Sequence, residues 1–196
     1  MIIFIFLCYF ARDMSESEQA VSTASSQPKW DGFRPIGGLI YGCIAFIAAF
    51  VLTAVYFVSR AFASLDSIGV PHAIGWAMYK AHGINPAFVV EGETVEYFEL
   101  IEYSPQILSA IPAVLLVAAG YVIARRVESS VSTKGSAIAG ASVVVGYLPL
   151  FVILAPLFHV EWEGSAYGPE LGLVGILSAA VFAGGFGAVG GYLYGR

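Results

Sequence analysis

Charge is scarce in this chain. Only 12% of its 196 residues are charged and 58% are hydrophobic, against about 25% and 45–50% in an average soluble domain. No soluble domain of this length has an interior large enough to hide that much apolar surface, and a mean hydropathy of +0.80 agrees. Basic residues number nine and the formal net charge is −5, which excludes a nucleic-acid binder. The two cysteines, Cys8 and Cys43, supply no disulfide framework, and no pairing is expected because Cys43 lies inside an apolar stretch. No Asp, Glu, Lys, Arg or His lies in the middle of any of the four long apolar stretches. Such a group costs about 2.5–3.5 kcal/mol on insertion scales and is usually kept for a proton relay or ion path. Its absence argues against a proton-coupled pump and a voltage sensor, and leaves open a pore lined by backbone, hydroxyls or apolar gates. Also missing are a zinc-protease helix, a phosphate-binding glycine loop and a nucleophile paired with a base. The reading is of a protein that is not an enzyme, with no cofactor and no metal site.

What the chain does have is length without charge. The stretches run from Ile36 to Val58, from Pro105 to Ala124, from Ile138 to Leu157 and from Leu171 to Tyr194. About twenty residues at 1.5 Å per residue cross a hydrocarbon core of roughly 30 Å. Inside lipid each backbone group must pair within its own segment, so four helices are expected. Ser104 and Pro105 suit the start of the second, serine as a cap and proline at the first helical position. Arg12, Lys29, Arg34, Arg125, Arg126, Lys134 and Arg196 fall on one side of these spans, and only Arg60 and Lys80 on the other. This bias places both termini in the cytoplasm, in the cell membrane. The outer side then carries Asp66, Glu91, Glu93, Glu96, Glu99, Glu102, Glu161, Glu163 and Glu170 and is strongly negative.

Residues 1–35 read as an N-terminal extension and flexible cytoplasmic tail, and 36–196 as the transmembrane domain with its outer loop, 59–104. Met1 to Phe10 is apolar but too short for a span, and it lacks the basic start of a signal peptide. We read residues 1–13 as an upstream extension, with translation starting at Met14; the alternative is a short interfacial anchor. In the long outer loop, Ile74, Ala77, Met78 and Ala81 recur at helical spacing. Trp76, Tyr79 and Lys80 beside them have the character of headgroup-level anchors, which predicts a short amphipathic helix lying on the outer surface. The alternative is a buried turn of helix packed onto the loop. His72 and His82 at its ends read as interfacial residues. Phe88 to Val90 and Thr94 to Phe98, around Glu91-Gly92-Glu93, suggest a small β-hairpin, and Val95 to Tyr103 reads equally as one helical turn or two leading into the second span. In the shorter outer loop His159, Glu161 and Glu163 alternate, as they would on one face of an extended segment, and read as a solvated acidic loop rather than a cation site.

The fourth stretch holds the most specific pattern. Gly175, Ala179, Ala183, Gly187, Gly191 and Gly195 recur every fourth residue. Small side chains in one stripe let another helix backbone approach closely. That partner is either a helix of the same chain or a second copy. Pro112, Pro149 and Pro156 are expected to kink their helices.

Met14-Ser-Glu-Ser-Glu, Gly75-Trp76-Ala77-Met78-Tyr79-Lys80-Ala81-His82 and Ile111-Pro112-Ala113-Val114-Leu115-Leu116 resemble segments of uncharacterised four-span membrane proteins of halophilic archaea. The resemblance covers about Ile36 to Arg196. It implies an architecture and carries no activity or site residues. The fold expected is all-α: four transmembrane helices with a small extracellular cap made of the amphipathic helix and the hairpin. The partners expected are the lipid bilayer and either a second copy or another membrane protein. Two functions remain: a non-enzymatic structural or accessory membrane component, and a small-solute or ion transporter or channel acting as an oligomer.

Overall fold

The computed structural model describes residues 32–61, 70–90, 93–96, 105–126, 132–162, 165–169 and 171–196. The expectations for residues 1–31, Asp66, Glu91, Gly92, Phe98, Glu99, Glu102, Ser104, Glu163 and Glu170 lie outside them. Helices α1 (Pro35–Ala61), α2 (Val70–Lys80) and α3 (Pro105–Arg125) are followed by α4 (Thr133–Ala141), α5 (Val144–Leu154) and α6 (Leu173–Tyr194). A 3-10 turn, Ala155–Phe158, extends α5. Among the described residues, four helical segments are long and apolar enough to cross a membrane: Pro35–Ser59, Gln106–Arg125, Thr133–Phe158 and Leu173–Tyr194. The third begins earlier than its apolar run because Ser132 caps it, its hydroxyl accepting from the Gly135 N–H at 3.2 Å. Exposed Val55, Val114, Ile153 and Val181 give these helices an apolar outer surface.

One end of the bundle is basic. Gly32 abuts Gly135, Gly37 lies near Ile123, and the Thr133 hydroxyl donates to the Gly195 carbonyl at 2.8 Å. These contacts gather Arg34, Arg125, Lys134 and Arg196 at that end. The described chain is mostly helical, and the opposite end carries a small four-stranded sheet, one hairpin more than expected. Strands β1 (Pro86–Val90) and β2 (Glu93–Glu96) form the expected hairpin, with Phe88 opposite Val95. Strands β3 (Val160–Trp162) and β4 (Ser165–Pro169) form a second, in the stretch expected to be a loop. The two join through Pro86 opposite Pro169 and Ala87 opposite Gly168, giving the order β2-β1-β4-β3. A lone hairpin is marginal in water, and each makes the other viable.

The third span is broken where no proline stands. Helix α4 ends at Ala141, Ser142 and Val143 form a turn, and α5 starts again at Val144. The Ser142 hydroxyl donates to the Ala139 carbonyl at 2.6 Å. Pro112 and Pro149 lie inside unbroken helices, while Pro156 sits in the 3-10 turn. Across this turn the packing partners change: α4 packs against α3 and α6, whereas α5 packs mainly against α1. Near the sheet, α2 packs against α1, α3 and the 3-10 turn.

Candidate functional site

Helix α2 is not a surface helix. Ala73 and every residue from Gly75 to Tyr79 are buried, with Trp76 0% and Tyr79 1% exposed. Ala73, Trp76, Ala77 and Ala81 pack with Phe57 and Leu108, while Met78, Tyr79 and Ile84 join the main core. The expected anchor roles of Trp76 and Tyr79 therefore give way to packing between helices. Both residues hydrogen-bond carbonyls of the third span instead: Trp76 Nε1 donates to Phe158 O at 2.7 Å, and Tyr79 Oη to Phe151 O at 2.5 Å. The third expected anchor, Lys80, is half-buried and donates to Asn85 Oδ1.

The reason for these bonds lies in the end of that span. Pro156 has no N–H, and the Ala155 N–H turns to Val152 O in the 3-10 turn. That tightening leaves the Phe151 carbonyl without a donor from residue 155, and the Phe158 carbonyl lies at the helix end. Carbonyls buried away from water need partners. Trp76 and Tyr79 provide them. Gly75 permits the approach, because a Cβ there would collide with the Phe158 ring.

One step further along lies His82, in the turn after α2 and 3% exposed. Its Nδ1 is 2.8 Å from Met78 O and its Nε2 is 2.9 Å from Tyr147 Oη. A carbonyl only accepts, so Nδ1 carries the proton, and Nε2 of the neutral ring accepts from the tyrosine. Phe151, Phe182 and Tyr147 surround the imidazole at centroid distances of 4.8, 4.9 and 5.7 Å. Tyr147 is fully buried and packs edge-on against Phe46. Down the third span, Trp76 thus meets Phe158, Tyr79 meets Phe151 and His82 meets Tyr147. At 1.5 Å per residue, Tyr147 lies roughly 16 Å from Phe158, near the middle of the span. Gly83, at φ +78°, then turns the chain back toward β1.

His82 is the functional candidate that composition and spacing missed, since it lies between spans in the sequence and was assigned to their interface with lipid. Its signal, a lone histidine at the end of a small-residue helix, says nothing about depth. The other two histidines are placed differently. His72 is half-buried, with its Nδ1 shielded and without a hydrogen-bond partner. His159 is exposed, its Nδ1 3.2 Å from Ala155 O and its ring against Gly168. Among the described residues no group of three His, Cys, Asp or Glu is placed to hold a metal ion.

The small-residue stripe of α6 faces into this same chain. Gly187 meets Gly140 of α4, and its carbonyl lies where a Cβ on Gly120 of α3 or on Gly140 would stand. Gly191 and Gly195 lie against Ser136, while Ala179 and Ala183 are fully buried in the core. Gly175 is half-buried. On α1, Gly38 and Gly42 fit in the same way against the carbonyls of Ser142 and Val143, where the third span breaks.

The model of a family of unknown function, DUF7978, matches residues 14–195. The chain belongs to DUF7978. No curated protein and no solved structure matches it. All four spanning helices, α2 and both hairpins fall within the DUF7978 match.

Proposed function

We propose that this DUF7978 protein is a non-enzymatic structural or accessory component of the cell membrane, working with another membrane protein or a second copy of itself. The observation that carries this reading is the closure of the bundle on itself. Backbones meet at Gly120, Gly140 and Gly187, and again at Gly42 and Gly146, and α2 plugs the opening near the sheet. Polar side chains in the interior, among them Thr53, Ser142, Tyr147 and His82, bond to one another or to the protein's own atoms. What remains for interaction is the apolar outer surface and the sheet. Gentle solubilisation from native membranes followed by mass spectrometry of the intact complex tests it. A reproducible foreign subunit, or a second copy that carries no solute, is expected. Solute flux from the purified protein alone in proteoliposomes would sink the reading.

A transporter or channel acting as an oligomer is the second reading, favoured by the His82–Tyr147 pair among the spans. The flux assay separates the two. For orientation, the basic end is proposed to face the cytoplasm and the sheet the outside. A cytoplasm-dependent reporter fused after Arg196 is then expected to be active, and one inserted between β1 and β2 inactive. The reverse pattern would invert the topology. The carboxylates proposed for the outer side suit a protein that works in concentrated salt.

A further inference from the structure

We infer that His82 and Tyr147 form a proton-operated latch that holds α2 inside the bundle: the neutral imidazole keeps α2 docked, and its protonation releases it. The inference stands on position and partners. His82 is at the inner end of α2, wrapped by rings from α5 and α6, and both its nitrogens are already engaged. A second ring proton on Nε2 would oblige Tyr147 to accept instead of donate, and its hydroxyl proton would lose its acceptor. The added charge would lie among Phe151, Phe182 and Tyr147, out of water. Leaving the bundle relieves both defects, because the exposed imidazolium is hydrated.

The groups facing the ring come from each element packed around it. Helix α2 presents the Met78 carbonyl, α5 presents Tyr147 and Phe151, and α6 presents Phe182. From α1, Cys43 donates to Gly146 O, beside Tyr147, and Thr53 reaches Met78. No described carboxylate, lysine or arginine is hydrogen-bonded to His82.

Burial holds the docked imidazole down to about 4, against the pull of the Met78 hydrogen bond, while a released ring returns to about 6.5. The released state therefore binds more protons throughout that window. The docked form is favoured fully above pH 6.5, and loses ground as pH falls from 6.5 towards 4. The change approaches about tenfold per pH unit.

Hydrogen exchange on the whole protein in detergent or nanodiscs reads this even when release is rare. After correction for the intrinsic pH dependence of exchange, protection of amides in 70–84 is expected to fall with pH by up to about tenfold per unit. Protection of α1 and α6 should stay level. His82→Gln, which keeps a donor and an acceptor but does not titrate, should abolish the trend. Level protection in the wild type, or the same fall in H82Q, would overturn the latch. Should H82Q fail to fold, NMR of 15N-histidine-labelled wild-type protein decides. A neutral Nδ1–H tautomer at pH 7 that ionises below about 6.5 is expected. The Nε2–H tautomer, or ionisation at or above that value, would overturn the inference.

Discussion

Leucine in place of Gly187 is expected to prevent the bundle from closing. Even a methyl group there would stand 2.5 Å from both the Gly140 carbonyl and Val143 Cγ1. Added methylenes in a packed core cost about 1–3 kcal/mol, and here a whole isobutyl group would meet backbone, which cannot rotate aside. Lipid offers no compensating drive, because apolar side chains are as well solvated by acyl chains as by one another. Gly191→Leu is expected to behave alike, since its Cβ would collide with the Ser136 carbonyl. The control is Gly185→Leu on the same helix: Gly185 is exposed, and a Cβ there has nothing within 4 Å. Monodispersity in detergent and thermal unfolding check this. The two stripe variants should aggregate or melt far below the wild type, with the control near it. If all three behave as wild type, α6 does not pack through this stripe.

Tyr79→Phe should produce the second large effect, although it removes only one oxygen. The phenol is the donor for the Phe151 carbonyl, in a position neither water nor the helix's own N–H groups serve. Leaving a buried acceptor unpaired costs about 1–3 kcal/mol. The ring itself should keep its packing against Phe151, whose centroid is 4.5 Å away. Loss of stability is therefore expected with little change of structure. Trp76→Phe loses a bond that is only partly buried, but it also leaves a cavity at a fully buried site, so it should destabilise as well. Equilibrium unfolding in mixed micelles measures both. A Tyr79→Phe variant as stable as the wild type would mean that another donor reaches Phe151.

Much of this architecture was legible without coordinates, for a particular reason. A helix across lipid has to be about twenty apolar residues long, so run length alone located α1, α3, α6 and most of the third span. The stripe from Ala179 to Gly195 was equally plain, because a spacing of four maps directly onto one helix face. The first hairpin showed itself by two apolar runs around a glycine. The second was half visible: the alternation of His159, Glu161 and Glu163 marked an extended segment, but nothing local says which strand it joins. That partnership is decided by Pro86 and Ala87 meeting Gly168 and Pro169 from far along the chain.

Helix α2 shows where such reading stops. Trp76, Tyr79 and Lys80 are amphipathic, and residues of that kind satisfy their polar atoms equally well against headgroups or against free carbonyls. The choice depends on whether a space and unpaired acceptors await them inside the bundle. The acceptors come from the third span, where the 3-10 turn at Pro156 releases carbonyls, and the space lies beside α1 and α3, against which α2 packs. Prolines were the expected kink sites. Yet the helix is interrupted at Ser142 and Val143, whose carbonyls lie against Gly38 and Gly42 of α1, a complementarity between segments about a hundred residues apart.

Composition and periodicity were thus sufficient for membrane class, span number and the packing stripe, because each is a property of one segment in its solvent. The burial of α2, the depth of His82 and its bond to Tyr147 belong to the tertiary structure. They arise only when one helix packs among others from distant parts of the chain, and no local pattern of residues encodes that packing.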